Sequence, residues 1–403
     1  MVAHDNWWRI LTAVVDKLHA VSLDYTLLGS SALFAQEVLS TAPDTLEFSI
    51  QWDLIPRAYQ FFEADGDIVL REGYELIHAH SENVGLLFYG FRNTVVVTDP
   101  DRLAIEHAGH QIWVKAVDYF LHTLKKQDPA VLAIKRHLQS LQRHNTRLNQ
   151  AAWNQDTYNA WIYRHGTPQV MAERLCKDPG SRLASLSRQL GPLSGKKVIN
   201  LLGSHGAKAI AMTLLGADVT IVDSAPENAR YADEVATAAG VTIRYLITDV
   251  LQLPAAELDS SYDLVLMEMG ILHYFIDLEP LAQIVEQLLH PGGRLILQDF
   301  HPSSTKLIVS SGKKHKVSAN YFDKSLIVKD VAFSKHLPET EQKTPQHVYL
   351  RQWTLGEIVT AFADVGLFIR SLEEEPNSKI DDIGLPKTFT LVAEKLLRPG
   401  KPV

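Results

Sequence analysis

The arrangement of hydrophobic and polar positions changes along this chain. Between residues 114 and 148, apolar residues recur at three- and four-residue spacing, which predicts two helices separated at Pro129. From Lys197 onward, short apolar runs alternate with helical stretches at regular intervals. Such an alternation is typical of a parallel α/β unit. The pattern therefore predicts two domains, residues 1–150 and residues 151–403.

Glycine and carboxylate residues stand where the first three predicted strands of the second domain end. KVINLL runs into the turn GSHG, which contains Gly203 and Gly206, and ADVTIVD ends in Asp223, 20 residues after Gly203. TIRYLITD ends in Asp249. Open α/β sheets bind ligands at the carboxyl ends of their strands, and a carboxylate there can accept both hydrogens of a ribose diol. These positions predict a site for a ligand that contains a nucleoside.

Two more strands, YDLVLMEMG and GGRLILQDF, follow, and the chain then reads as helix, strand, loop and strand. This succession resembles the class I S-adenosylmethionine-dependent methyltransferases over most of residues 160–395. The resemblance implies a Rossmann-like, seven-stranded α/β sheet with antiparallel sixth and seventh strands, and S-adenosylmethionine as cofactor. The cofactor-binding residues that it implies are Asn200, Gly203, Ser204, Gly206, Asp223, Ser224, Asp249, Val250, Glu268 and Met269.

The turn after the first strand departs from the pattern of that family. The usual motif is close to D-L-G-C-G-x-G, whereas this chain has N-L-L-G-S-H-G, so that Asn200 replaces the acid and one glycine is displaced. A dinucleotide-binding domain is one alternative, but its third glycine is missing, since Ala209 stands at that position. In a further alternative, the glycines and Asp223 only build turns and bind nothing.

Two histidines follow the fourth and fifth strands and are candidates for the catalytic base. Methyl transfer needs a base where the acceptor must lose a proton, and a histidine has an ordinary pKa of about 6.5. His273 lies in MGILHYF, and His301 lies in QDFHPSST. Alternatively, His273 packs over the adenine or caps a helix.

Two segments are expected to enclose the substrates. Residues 302–352 are too long for a plain connection and predict an acceptor-pocket insertion. This insertion and the residue that follows it contain the aromatic residues Tyr321, Phe322, Phe333, Tyr349 and Trp353. Residues 151–180 predict a lid, because Trp153, Tyr158, Trp161 and Tyr163 precede the strands. Ordinary core packing is the alternative explanation for these aromatic residues.

The first domain resembles the small nucleotidyltransferase fold. Its strand YTLLGSSAL contains the turn Gly29-Ser30, and the next strand, TLEFSIQW, has faces that alternate. The later helices between Arg102 and Leu148 also fit that family. The resemblance implies two magnesium ions held by strand carboxylates, but Thr45 stands at the first acidic position and Glu47 at the second. We therefore expect a catalytically inactive domain without a metal.

Composition places the chain among globular proteins, with 46% hydrophobic and 21% charged residues. Its single cysteine, Cys176, excludes an internal disulfide and a multi-thiolate zinc site. No apolar run reaches the roughly 18 residues that span a bilayer. The first residues, MVAHDNWWRI, lack the plan of a signal peptide. We expect a cytoplasmic protein with no membrane partner.

Charge makes a small-molecule acceptor the favoured partner. The chain has 39 basic and 47 acidic residues, a net charge of −8, which argues against a whole-protein grip on nucleic acid. Basic residues do cluster on the closing helices of the first domain, at Lys125, Lys126, Lys135, Arg136, Arg143 and Arg147. An RNA-directed methyltransferase that docks RNA there is therefore one alternative. A non-catalytic cofactor sensor or interaction protein is another, and homodimerisation stays open.

Overall fold

The computed structural model describes residues 4–311, 314–317, 319–338, 346–377 and 384–397. It divides the chain into two compact units. The first comprises residues 1–140 and 322–325, and the second comprises residues 141–321 and 326–403. Residues 322–325 fall within the predicted insertion but belong to the first unit. There the ammonium of Lys324 lies 2.7 Å from a carboxylate oxygen of Asp101.

The first unit contains a seven-stranded mixed sheet with helices before, within and after it. The strands are β1 (Tyr25–Leu27), β2 (Thr45–Gln51), β3 (Asp65–Arg71), β4 (Tyr74–Ser81), β5 (Val84–Phe91), β6 (Arg102–His107) and β7 (His110–Lys115). The helices are α1 (His4–Ala20), α2 (Gly29–Ala35), α3 (Ile55–Phe61), α4 (Val117–Thr123) and the beginning of α5 (Pro129–Trp153). The strand order is β3-β4-β5-β2-β1-β7-β6.

Alternation along β2 explains how this sheet builds its core. Leu46, Phe48 and Ile50 are fully buried, whereas the residues between them are partly exposed. The prediction of helices from Arg102 onward is wrong for residues 102–115. They form the hairpin β6–β7, in which apolar side chains such as Ile112 and Val114 alternate with more polar ones and are buried. Pro129 begins α5, as the break in the helical pattern predicts.

The second unit contains the larger sheet. Its strands are β8 (Lys197–Leu201), β9 (Asp218–Asp223), β10 (Arg244–Ile247), β11 (Tyr262–Glu268), β12 (Leu289–Phe300), β17 (Leu367–Pro376) and β18 (Pro386–Lys395). Two further hairpins pair β13 (Ile308–Ser311) with β14 (Lys314–Val317) and β15 (Leu326–Asp330) with β16 (His347–Arg351). The helices are α6 (Thr157–His165), α7 (Pro168–Lys177), α8 (Pro179–Arg182), α9 (Ser187–Leu190), α10 (Ala207–Leu214), α11 (Pro226–Ala238), α12 (Glu279–Leu288) and α13 (Leu355–Asp364).

The order of this sheet is β10-β9-β8-β11-β12-β18-β17. The first five strands are parallel, and β18 runs antiparallel to both β12 and β17. This confirms the seven-stranded, Rossmann-like α/β sheet that the sequence predicts. Both faces of the sheet are covered by buried side chains. The consecutive residues Val198 and Ile199 point to opposite faces and belong to different hydrophobic clusters. Parallel strands buried in this way bring their carboxyl ends to one edge of the sheet.

Local sequence sets the ends of several helices in this unit. Thr354 and Glu357 form a capping box at the start of α13, in which each side chain binds the backbone of the other residue. Helix α12 ends at Leu288, and Pro291 and two glycines follow within the first five residues of β12. Among the described residues, the helices include none with the length and apolar character needed to cross a membrane.

Candidate functional site

A cavity of about 560 Å³ opens at the carboxyl ends of the parallel strands of the second unit. It is lined by residues that directly follow β8, β9, β10 and β11, including Gly203, Ser224, Val250 and Met269. Its volume lies in the range of about 300 to 1,000 Å³ that is usual for small-molecule sites. The cavity therefore lies where the sequence predicts a ligand.

Asp223 forms the centre of a hydrogen-bonded network at this edge of the sheet. One carboxylate oxygen accepts from the backbone N–H of Ser204 at 3.0 Å, and the other accepts from the backbone N–H of Ala225 and the amide of Asn228. Burial raises the pKa of Asp223, whereas these hydrogen bonds act in the opposite direction. The network holds a carboxylate against the cavity and also ties it to the glycine turn.

The glycine turn brings the backbone close to the cavity. At Gly203, a Cβ atom would lie 2.7 Å from Oδ1 of Asn200, so that a side chain cannot be accommodated there. The two neighbours of Gly203, Leu202 and Ser204, both have a φ of +49°, a left-handed conformation that disfavours residues with a Cβ. Leu202 and Ser204 thus adopt a backbone conformation that is usual for glycine.

Asn200 lies beneath this turn and does not line the cavity. Its side-chain nitrogen donates to the carbonyl of Leu266 at 3.2 Å. Its Oδ1 is buried and accepts no hydrogen bond from any described residue. Because an unpaired buried acceptor is costly, this oxygen is suited to accept from a buried water.

Carboxylates after β10 and on β11 complete the polar part of the cavity. Asp249 accepts a hydrogen bond from the backbone N–H of Leu251 at 3.0 Å, and burial raises its pKa. Glu268 forms an ion pair with Lys208, a residue of α10. Met269, with a φ of +56°, directs the chain from β11 into the loop that carries His273.

The structure brings eight of the ten predicted cofactor residues to the lining of this cavity, all except Asn200 and Gly206. Gly206 packs instead against α11 and β9, because a Cβ there would lie 2.9 Å from Ala232 and 3.0 Å from Ile221.

Residues of α5 and α6 also line the cavity. Trp153 and Trp161 both line it, and the indole of Trp153 donates to the hydroxyl of Tyr274 at 2.9 Å. The amide of Gln150 donates to the carbonyl of Ser224 at 2.9 Å. Of the aromatic residues in the predicted lid, Tyr163 is 51% exposed, and Tyr158 packs against Tyr231.

A pair of histidines connects α6 to the glycine turn. Nε2 of His205 lies 3.0 Å from Nε2 of His165, the last residue of α6. Nδ1 of His205 accepts from the backbone N–H of Ala207 at 3.4 Å, which places the His205 proton on Nε2 and makes His165 the acceptor. Burial lowers the pKa of His165 to about 4 and that of His205 well below its usual value, and nearby Arg182 acts in the same direction. Both rings are therefore neutral at pH 7.

Sequence reasoning misses Arg182, which also lines the cavity. Its Nε is buried and has no hydrogen-bond partner in the part of the chain that the structure describes. Arg182 is the last residue of the four-residue helix α8, in a segment without a recognisable motif. A partly buried guanidinium whose Nε lacks a partner is suited to pair with an anionic group of a ligand.

A second cavity of about 240 Å³ adjoins the first. Four residues line both cavities, namely His273, Tyr274, Phe300 and Ala332. One wall of the second cavity comes from the hairpin β15–β16 and the residues that follow it. The two cavities therefore meet at these shared residues.

His273 stands at this junction. Its ring nitrogens make no hydrogen bond to any described residue, and it contacts Tyr274 edge-on at 4.5 Å between ring centroids. Burial and the charge of Lys329 lower the pKa of His273 to about 4, although Asp299 acts in the opposite direction. The ring is neutral at pH 7 and can accept a proton.

His301, the second candidate base, lies elsewhere. It lines neither cavity and is 4% exposed, and its Nε2 lies 2.6 Å from a carboxylate oxygen of Glu374. Its Nδ1 accepts from the backbone N–H of Ser303 at 3.1 Å. The structure thus places His301 outside the lining of both cavities, and its role as a base stays a prediction.

The aromatic residues of the insertion mostly serve the fold. Of the five, only Trp353 lines the second cavity, where its indole donates to the carbonyl of Leu272 at 3.0 Å. Phe333 is buried against Trp153, and the hydroxyl of Tyr321 accepts from the backbone N–H of Leu355. Phe322 belongs to the first unit. Core packing, the alternative reading, thus explains Phe333.

In the first unit, the Gly29-Ser30 turn faces Glu47. A Cβ at Gly29 would lie 2.3 Å from the Glu47 carboxylate, and the hydroxyl of Ser30 donates to that carboxylate at 3.4 Å. Across the described residues, there is no group of three or more histidine, cysteine or carboxylate side chains arranged to hold a metal.

Comparisons with known proteins identify a methyltransferase domain within the second unit. Residues 202–297 match a family described as a methyltransferase domain. The ubiquinone biosynthesis O-methyltransferase of Xanthomonas axonopodis pv. citri (strain 306) is 34% identical over 120 residues, 30% of this chain and 49% of that protein. The demethylmenaquinone methyltransferase of Thermus thermophilus is 32% identical over 109 residues, 27% of this chain and 48% of that protein.

The chain thus spans about half the length of the curated relatives it matches. A solved S-adenosylmethionine-dependent methyltransferase from Mesorhizobium loti covers 53% of this chain and 97% of its own length, with 19% identity and a TM-score of 0.42. The family match confirms the prediction of a methyltransferase domain in the second unit and supports S-adenosylmethionine as its cofactor.

Proposed function

We propose that the second unit, which contains this methyltransferase domain, transfers a methyl group from S-adenosylmethionine to a hydroxyl oxygen of a small-molecule acceptor. The observation that carries the proposal is the cavity at the strand ends, with Asp223 at its edge and a second cavity adjoining it at His273. The choice of oxygen is supported by the name of the Xanthomonas relative, an O-methyltransferase.

The residues present fit the parts of the cofactor. Asp223 would accept from the ribose hydroxyls, and Asp249 from the adenine amino group. The unpaired Nε of Arg182, a residue that lines the cavity, would pair with the carboxylate of the methionine part. When bound, the cofactor supplies a methyl group on a sulfonium, which is open to attack by a nucleophile.

The protein's own contribution is position, proton removal and exclusion of water. His273 would accept the proton of the acceptor hydroxyl, because its neutral imidazole lies where the two cavities meet and has no competing hydrogen bond within the described residues. Trp153 and Trp161 line the larger cavity and would keep water from the reacting atoms. Tyr274, held by Trp153, fixes the shared wall.

The test of cofactor binding is calorimetric titration with S-adenosylhomocysteine. Asp223→Asn should weaken binding at least about tenfold, because it removes a charged acceptor from the ribose position. Asp218→Asn is the matched control, since Asp218 begins the same strand and is exposed. Circular dichroism checks that both variants fold. Wild-type affinity in Asp223→Asn, or no binding by the wild type, would contradict the proposal.

The identity of the acceptor class needs a separate experiment. Transfer of label from methyl-labelled S-adenosylmethionine should appear in the small-molecule fraction of a cell extract. Label in RNA instead, lost on neutralising Lys135 and Arg136, would favour the RNA-directed alternative. Tight cofactor binding without any labelled product would favour the sensor alternative.

For the first unit we propose an inactive nucleotidyltransferase-like domain. The turn at Gly29 and Ser30 against Glu47 supports the likeness, and Thr45 at the other acidic position supports the loss of activity. Two-metal catalysis requires more than one carboxylate to fix the ions. Incubation with magnesium and each nucleoside triphosphate should yield no nucleotidylated product, and such a product would overturn this proposal.

A further inference from the structure

The second cavity has the size and walls of a site for one aromatic ring. A cavity of about 150 Å³ holds a benzene ring, and this one, at about 240 Å³, leaves room for a ring with a few substituents. Its walls include the aromatic side chains Phe300, Trp353 and Phe389, together with aliphatic residues of β15 and β16. Such walls favour a flat, largely apolar ligand.

Most charged side chains around this cavity are already engaged. The carboxylate of Asp299 accepts from four backbone N–H groups, those of Gly270, Ile271, Leu272 and Phe300. Arg351 donates to the carbonyl of Ile276 at 2.6 Å and pairs with Glu357. Asp330 lies 3.1 Å from His347. These groups therefore hold the protein together and have little capacity left for a ligand.

Lys329 is different. It lines the cavity, and its ammonium makes no hydrogen bond or ion pair to any residue within the described ranges. On strand β15, Lys329 is two residues after Ile327, so that both project from the same face. The cross-strand partners of these two residues, Val348 and Leu350, also line the cavity. An unpaired ammonium thus stands on the face of the hairpin that forms the cavity wall.

Resting on the proposed function, we infer that the methyl acceptor is a single-ring aromatic hydroxy acid, whose carboxylate pairs with Lys329 while its hydroxyl faces His273. The ring lies between Phe300, Trp353 and the aliphatic face of the hairpin. The pairing orients the acceptor, because a ring held by its carboxylate at one end presents its hydroxyl at the other. The positive charge of Lys329 also contributes to lowering the pKa of His273, which places the two residues in the same electrostatic environment.

The test compares two ligands of the same shape and different charge. The probes are 3,4-dihydroxybenzoate and its neutral counterpart 3,4-dihydroxybenzamide, titrated calorimetrically into the full-length protein with and without saturating S-adenosylhomocysteine. The wild type should bind the benzoate roughly five to ten times more tightly than the benzamide, as expected for a half-exposed charge pair. Lys329→Gln should remove this preference and leave the affinity for the benzamide unchanged.

Lys177→Gln is the matched control, because Lys177 is an exposed lysine of the same unit that lines neither cavity. It should keep the preference of the wild type. Equal binding of the two probes by the wild type, retention of the preference in Lys329→Gln, or no binding of either probe would overturn the inference.

The outcome can be separated from that of the proposed function. Failure of S-adenosylhomocysteine to bind would contradict methyl transfer. The preference for the benzoate over the benzamide is also measured in the absence of S-adenosylhomocysteine, so that it does not depend on that result. Binding of the nucleoside with no preference for the benzoate would leave methyl transfer intact and overturn the acceptor class.

Discussion

Acidification should destabilise the second unit through the histidine pair that connects α6 to the glycine turn. Nε2 of His205 donates to Nε2 of His165 at 3.0 Å, so that a proton added to His165 abolishes the acceptor and places a charge in a buried setting. The cation Arg182 disfavours that charge further. The informative substitution is His165→Gln, because glutamine offers an amide oxygen to His205 and does not titrate.

The magnitude follows from the linkage between proton binding and unfolding. The pKa of His165 is about 4 in the folded chain and about 6.5 in the unfolded chain. Below pH 6.5 the unfolded chain therefore binds more protons, and the free energy of unfolding decreases as the pH falls toward 4. At pH 5 this amounts to about 2 kcal/mol for a fully buried group, and we reduce it to about 1 kcal/mol because His165 is only partly buried.

The assay is thermal unfolding of the wild type and of His165→Gln at pH 7.5 and pH 5. The two proteins should have similar Tm values at pH 7.5, and the variant should gain about 2 to 4 °C relative to the wild type at pH 5. Carboxylates that titrate in this range are common to both proteins and cancel in the comparison. The transition of the second unit is the one that S-adenosylhomocysteine moves upward. The same pH dependence in both proteins would refute the reasoning.

Two further substitutions test the site. His273→Asn should lower the rate of methyl transfer about a hundredfold and leave the Kd for S-adenosylhomocysteine within twofold, and an equal loss of nucleoside affinity would contradict its role as base. In the wild type, His273 should produce no break in the pH–rate profile near 6.5, because its pKa is about 4. Ser204→Gly should raise the free energy of unfolding by about 0.5 kcal/mol, because Ser204 has a φ of +49°, a left-handed conformation that glycine adopts more readily. A lower Tm of the variant would contradict backbone strain at this position.

The sheet of the second unit could be predicted because its signals are local and repeated. Each strand is a short apolar run, and each of the first three is followed by a glycine or an acid at its end, as at Gly203, Asp223 and Asp249. The parallel arrangement then brings these ends together without further information. Eight of the ten predicted cofactor residues consequently line one cavity.

Contacts between distant segments could not be predicted in this way. The sequence places His301 after a strand, but only the folded chain shows Glu374 beside it. Neither Arg182 nor Lys329 belongs to a sequence motif. Their proposed roles follow from the fact that the Arg182 Nε and the Lys329 ammonium have no hydrogen-bond partner among the described residues. Residues 102–115 were misassigned because the alternation in two six-residue strands is too short to distinguish from a helical pattern.

The two adjoining cavities are lined largely by different residues, which determines how the smaller cavity can be changed by substitution. One wall of the smaller cavity comes from β15, β16 and the residues up to Trp353, whereas the nucleoside cavity is built mainly from the strand ends of the sheet. Ile327, Lys329, Val348 and Leu350 line only the smaller cavity, so that substitutions at these four positions would reshape it while Asp223, Asp249 and the glycine turn stay in place. Under the proposed function, a library confined to these four positions should therefore change the preferred acceptor and leave the affinity for the nucleoside unaltered.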